Sequence, residues 1–194
     1  NKDIIFNLAG QTSHLDSMED PLTDLDINCR SQITILEACK NYNPNVKIVF
    51  ASTRQIYGKP IYLPVDENHP IQPIDVNGIN KFAGESYHLL YHNVYGINST
   101  VLRLTNTFGQ KMRIKDSKQT FLGIWLRNVL ENKPICIYGD GSQLRDLNYI
   151  DDVVNALLMV AIYSKSNGKV YNLGSKEIIS LNDLAEKLTQ ANGS

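Results

Sequence analysis

No apolar run in this chain approaches the roughly 18 residues that a membrane-crossing helix needs. Neither sign of charge is in excess: 19 Lys and Arg stand against 20 Asp and Glu, for a formal net charge of −1. No broad basic field therefore points to nucleic acid. The three cysteines, Cys29, Cys39 and Cys136, are an odd number without metal-ligand spacing. They read as small buried residues in a reducing compartment, not as a disulfide frame. His88 and His92 have the spacing of a metal pair, but no acidic or cysteine partner follows at ligand spacing, and no metal is expected. There is no internal repeat and no low-complexity tract. What remains is ordinary: 194 residues, 42% hydrophobic and 20% charged, enough for one soluble domain with a full core. Asn1-Lys2-Asp3 has no leader pattern, and a cytoplasmic setting is expected. Because the chain opens on Asn and enters an apolar strand at once, a preceding segment is expected to be absent from it.

The most informative stretch is residues 48–85. Ile48-Val49-Phe50-Ala51 is a short, charge-free apolar run, the pattern of a buried strand. Ser52 and Thr53 follow, placing two hydroxyls at the strand's carboxyl end, the edge where open parallel sheets bind ligands. A Pro-rich loop over residues 58–73 leads to a helix expected over 77–95, ended by Gly96. Its apolar residues are Phe82, Tyr87, Leu89, Leu90 and Val94, and Asn77 and Lys81 share one of its faces. His69, within Asp66-Glu67-Asn68-His69-Pro70, is expected to be exposed.

Upstream, residues 3–10 form a strand ending in the small turn Leu8-Ala9-Gly10, where a flat ligand can approach the backbone closely. Residues 11–20 read as polar loop. Leu22, Leu25, Cys29, Ile33, Leu36 and Cys39 recur every three or four positions, which predicts one helix over 22–40 with that face buried and Asn28 beside it. Strand, helix, strand is a right-handed βαβ unit with a parallel sheet. Downstream, residues 99–104 are a strand whose end carries Thr105, Asn106 and Thr107, and 111–119 form a polar, basic loop. A helix is expected over 120–131, a short strand over 134–139 and a helix over 153–163 capped by Asp151 or Asp152. A strand follows at 170–174, and then a last helix over 181–190 capped by Ser180. Thr53, Asn77, Lys81, Asn106 and Arg145 look like one constellation, in which the Arg145 fork is suited to phosphate.

The chain resembles the extended short-chain dehydrogenases/reductases, in the nucleotide-sugar epimerase/dehydratase group. It is similar to UDP-galactose 4-epimerases and, through Arg54-Gln55-Ile56-Tyr57, somewhat to the 2-epimerases that act on CDP-sugars. The motifs are Asn7-Leu8-Ala9-Gly10, Asn28, Ser52-Thr53 with Ile56-Tyr57-Gly58, Asn80-Lys81 with Gly84-Glu85, Leu102-Arg103 with Asn106 and Gly109, and Arg145-Asp146 with Asp151-Asp152. Each is weak alone; their order and spacing are specific. The resemblance implies an α/β fold, a Rossmann-type parallel sheet that binds NAD, with a smaller C-terminal α/β part for a nucleotide-diphosphate sugar. Residues 1–109 would be the C-terminal half of the NAD-binding domain. Residues 110–194 would be mostly the substrate-binding part, with some segments returning to the sheet. It implies NAD contacts from Asn7, Leu8, Ala9, Gly10, Asn28, Ser52, Lys81 and Leu104. It implies substrate contacts from Gln11, Tyr57, Asn106, Gln119, Tyr138 and Arg145, and catalytic positions at Thr53, Asn77 and Lys81. Relatives commonly dimerise through two long helices, here residues 22–40 and 77–95, so a homodimer is expected.

Three departures from the family pattern stand out. The Gly-rich phosphate-binding turn is missing, which amounts to ~60–80 residues, or two βαβ units. The catalytic tyrosine, four residues before the lysine, is replaced by Asn77, and a carboxamide is no base at neutral pH. Lys81, Thr53 and Tyr57 are the candidate substitutes. Finally, Arg54 and Gln55 stand where the 4,6-dehydratases carry acids, which favours epimerisation or oxidoreduction over dehydration.

Overall fold

The structure is a computed structural model that describes residues 2–114, 120–175 and 177–191. Gln119, with residues 115–118 of the basic loop, lies outside them. In chain order the elements are β1 (Ile4–Asn7), α1 (His14–Glu19), α2 (Pro21–Leu25), a π-helical turn (Asp26–Arg30), α3 (Ser31–Tyr42), β2 (Lys47–Thr53), α4 (Val76–Tyr95) and β3 (Asn98–Leu104). They continue with β4 (Asn106–Phe108), α5 (Phe121–Leu130), β5 (Leu144–Tyr149), α6 (Ile150–Ile162), β6 (Val170–Leu173), β7 (Ile178–Ser180) and α7 (Leu181–Ala191). Among the described residues no helix is long and apolar enough to cross a membrane.

The chain forms two compact units. The first, residues 1–104 with 153–173, is built on a parallel sheet in the order β1-β2-β3-β6. β2 supplies its centre: Ile48, Val49 and Phe50 are fully buried, as a two-sided parallel strand requires. Leu36, Val46, Ile48 and Ile97 form one apolar cluster, and Val49, Leu102, Val153 and Leu157 another. α4 starts on Asp75, whose Oδ1 accepts from Gly78 N at 2.6 Å, and stops at Gly96, which takes the left-handed φ of 72°.

The second unit, residues 105–152 with 174–194, holds a small mixed sheet in the order β4-β5-β7. β5 runs parallel to β4 and antiparallel to β7. Leu122 and Trp125 of α5 pack with Leu181 and Leu184 of α7 to form its core.

Several local expectations are corrected. Residues 14–19 form a helix, not loop, started by Ser13 Oγ accepting from Asp16 N at 3.2 Å. The helix expected over 22–40 is broken by the π turn, whose extra residue rotates the preceding turn out of register. Leu22 is therefore 73% exposed, and the inward side of this segment is Asp24, Asn28, Gln32, Leu36 and Cys39. Residues 134–139 alternate inward and outward like a strand, yet no ladder forms on them among the described residues. In the second sheet the strands at 106–108 and 178–180 have only three residues each, and Leu144–Tyr149, with Leu, Arg, Asp, Leu, Asn and Tyr in turn, does not alternate apolar and polar residues. α6 begins at Ile150, so Asp151 and Asp152 lie in its first turn, not at its cap. Cys29 and Cys39 are buried as expected, whereas Cys136 is exposed. His69 is buried: its Nε2 accepts from Ile61 N at 2.9 Å, and Tyr57 and Tyr62 flank its ring.

Candidate functional site

In the first unit the carboxyl ends of β1, β2 and β3 share one edge, because the register sets Asn7 beside Phe50 and Thr53 beside Leu104. At the end of β1, Asn7 is buried and donates to Gln32 Oε1 at 2.5 Å, whereas Leu8 and Ala9 are exposed. Asn28 clamps the next turn: its Oδ1 accepts from Gln11 N at 3.1 Å and its Nδ2 donates to Gln11 O at 3.2 Å. Gly10 leaves this space to the lysine, since a Cβ on it would come within 2.5 Å of Lys81 Nζ and 3.0 Å of Asn28 Oδ1 and would displace the amine.

Lys81 reaches this turn from α4. Its Nζ donates to Ala51 O at 3.2 Å, two residues before Thr53, and lies over the Phe50 ring. Burial pushes its pKa down to about 8, against the charge of Asp24, which favours the ammonium. Asn77, one turn earlier and fully buried, donates from Nδ2 to Gln11 O at 2.6 Å and to Asp24 Oδ2 at 3.2 Å.

Asp24 was invisible in the sequence reading. It is 1% exposed and accepts from three carboxamides: Asn28 at 3.0 Å and Asn77 at 3.2 Å on Oδ2, and Asn80 at 2.8 Å on Oδ1. These bonds are what allow a carboxylate to stay buried there. The available signal was weak: 24 and 28 are one helical turn apart, as are 77, 80 and 81, but nothing local joins the two sets.

Other expected residues face inward. Ser52 Oγ donates to Glu85 Oε2 at 2.9 Å. The Tyr57 hydroxyl donates to Asn172 Oδ1 at 2.7 Å and accepts from Arg103 Nη1 at 2.5 Å. Leu104 packs on the Val49–Leu102 cluster. Thr53 is half-buried, and its Oγ1 accepts from Gln55 N at 3.2 Å, capping the short turn that follows. The structure thus brings Asn28, Asn77, Lys81, Gly10 and Gln11 together at the sheet edge and turns Ser52 and Tyr57 into the fold.

The second unit has a cavity of about 390 Å³, with Phe121, Trp125, Tyr138, Gln143, Arg145 and Leu181 in its walls. Tyr138 is 84% exposed and Arg145 stacks near Phe121, its Nη1 donating to Leu144 O. Gln143 Oε1 is buried without a hydrogen-bond partner among the described residues. Sequence reading missed Gln143 and Trp125, since a lone Gln or Trp has no motif of its own. Asn106 is held outside this lining, with its Nδ2 donating to Asp146 O at 3.2 Å.

Residues 1–174 match the NAD dependent epimerase/dehydratase family. The chain belongs to that family. A Methanocaldococcus jannaschii protein provisionally named UDP-glucose 4-epimerase is 38% identical over 183 residues, 94% of this chain and 58% of its own length. CDP-paratose 2-epimerase from Salmonella typhi is 29% identical over 201 residues, 92% of this chain and 59% of its own length. The solved structure of UDP-glucuronic acid 4-epimerase from Bacillus cereus, in complex with UDP-glucuronic acid and NAD, matches at 29% identity and a TM-score of 0.90, over 99% of this chain and 60% of that one. The chain spans about three fifths of the length of these relatives.

NAD is the cofactor of the epimerase/dehydratase family, and the sheet edge fits it chemically. Gly10 has no side chain, Leu8 and Ala9 are exposed, and Lys81 keeps N–H groups beyond the one given to Ala51 O, suited to ribose hydroxyls.

Proposed function

We propose that the protein containing this chain is an NAD-dependent nucleotide-sugar epimerase that transiently oxidises a sugar carbon. The observation that carries this reading is the Lys81 amine on Ala51 O, at the carboxyl end of β2 and against the bare Gly10 turn. Bound NAD supplies the hydride acceptor and donor. The chain's own residues bind and orient: Leu8 to Gly10 would lie along the cofactor, Lys81 would hold its ribose, and Thr53 would hydrogen-bond the sugar hydroxyl. In the second unit, Tyr138 and Arg145 of the aromatic-walled cavity would hold the nucleotide and its diphosphate, with Asn106 as a further diphosphate contact. Arg54 and Gln55 after Thr53 offer no ready proton donor, which supports epimerisation over loss of water.

The test is to give the full-length protein NAD and a panel of UDP-, dTDP-, GDP- and CDP-sugars. Conversion of one sugar to its epimer is expected; no epimer and no reduced cofactor across the panel would sink the reading. Asn77, in the family's tyrosine position, supports a second reading, a catalytically silent nucleotide-sugar binder in the same cytoplasmic setting. Asn77→Tyr separates the two: a large gain in turnover favours the silent binder, and no gain favours a base already in place.

The proposal includes a homodimer. Leu22, Leu25, Cys29 and Ile33, with the exposed Asp26–Arg30 ion pair, line an open groove on the α2–α3 side, and Leu90 and Val94 of α4 are exposed. These surfaces suit a second copy of the chain.

A further inference from the structure

The position normally held by the base is closed to proton transfer. Both N–H groups of the Asn77 amide are engaged, by Gln11 O and Asp24 Oδ2, so only its weakly basic oxygen remains. The Tyr57 hydroxyl is tied to Asn172 and Arg103 in the interior. Thr53 offers an alcohol, which is no base at neutral pH. Lys81, by contrast, brings a buried amine, bonded among the described residues only to Ala51 O, against the Gly10 turn.

We propose, resting on the epimerase reading, that the Lys81 amine itself accepts the proton of the sugar hydroxyl, and that Asp24, locked by Asn28, Asn77 and Asn80, is the positioning residue that sets the amine's charge. In the forward step the O–H proton passes to the neutral amine, giving an ammonium. The carbon loses its hydride to the nicotinamide cofactor, and C–OH becomes C=O. On return the hydride comes back to the carbon and the ammonium gives its proton to the oxygen, so amine and cofactor end as they began.

The electrostatics allow both halves. Burial brings the amine to about 8, so about a tenth of it is neutral at pH 7. Asp24 acts in the opposite direction and keeps the rest protonated, ready to return the proton. The other charged groups around Lys81 are compensated. Glu85, one turn along α4, is held by Nε and Nη2 of Arg103 from β3. His88, a further turn on, is buried and kept neutral. Ala51 of β2 and Gly10 after β1 add no charge.

The test uses the full-length protein carrying 13C-labelled lysine, with the Lys81 signal assigned through Lys81→Met. The wild-type Lys81 resonance should titrate near pH 8, and Asp24→Asn should move the midpoint to lower pH, because removing the carboxylate removes what favours the ammonium. In the working enzyme the rise of kcat/KM with pH should follow the same midpoint and shift with it. Lys81→Arg cannot release a proton near neutrality and should lose ~100- to 10,000-fold in turnover at saturating NAD, with NAD affinity measured in parallel to separate the lost base from a weakened ribose contact. It serves if Asp24→Asn fails to fold. The titration needs no substrate. A midpoint near 8 that Asp24→Asn lowers supports the coupling even where no sugar turns over, a result that sinks the epimerase reading alone. A midpoint above 10, one that Asp24→Asn leaves in place, or near-normal turnover in Lys81→Arg overturns the inference while the epimerase reading stands.

Discussion

His88 sits in the middle of α4 with no exposure, its ring stacked on Phe50 at 4.5 Å and its Nδ1 3.2 Å from Ser99 Oγ. Burial, aided by the Lys81 charge, pushes its pKa from 6.5 to about 3. Between those values the unfolded chain holds a proton that the fold excludes, so this contribution is complete above about 6.5 and is lost as the pH falls. The slope is about 1.4 kcal/mol per pH unit. Urea denaturation at pH 7 and pH 5 should show the wild type losing about 2 kcal/mol more than His88→Gln. Equal losses in the two proteins would refute the assignment. At this same scale the sequence told least. His88 had only the spacing of a metal pair, with no metal expected, and nothing singled out Asp24, because a side chain's partners lie far along the chain.

α4 shows the same gap one level up. Its length and its stop at Gly96 follow from local signals, but its apolar residues do not mark one inward face: Tyr87 packs on the core, and others do not. Leu90 and Val94 are exposed, while Asn77, Asn80, Lys81, Gly84, Glu85 and His88 are buried. This polar stripe fastens the helix to the sheet. Glu85 takes Arg103 Nε at 3.1 Å, a second bond from Arg103 Nη2, and Ser52 Oγ at 2.9 Å, which ties α4 to β3 and β2. Glu85→Gln leaves the buried guanidinium uncompensated and should cost about 3–5 kcal/mol in denaturant unfolding. A loss below about 1 kcal/mol, the ordinary worth of an exposed pair, would show that the pair is not what holds the helix. Gly84 is part of the same fit. A Cβ there would lie 2.7 Å from Asn28 O, so Gly84→Ala should cost about 1–3 kcal/mol by forcing α4 off the Asn28 turn.

For the molecule as a whole, the inward turn of polar residues leaves apolar ones outside. Leu22 at 73% exposure, beside Leu25 and Ile33, is surface that a dimer would cover. In a two-fold dimer Leu22 counts twice, and each buried Leu is worth about 1.5–3 kcal/mol. Leu22→Arg should therefore weaken self-association by on the order of 100-fold or more in sedimentation experiments. A wild-type protein that sediments as a monomer at micromolar concentration would remove the dimer from the proposal.

The sequence by itself determined the alternation of strand and helix, the parallel character of the main sheet and the family. Short apolar runs, helical periods and stop signals such as Gly96 are local, and the family motifs keep their order along the chain. Only the tertiary structure decided which faces turn inward and which polar groups are left free to act. The π turn at Asp26–Arg30 rotated Leu22 outward. Ser52 and Tyr57 were drawn into buried networks with Glu85, Arg103 and Asn172. Asp24 found Asn77 and Asn80 more than fifty residues away. A buried polar group must find its partner wherever the fold brings one, and no window of sequence spans that distance.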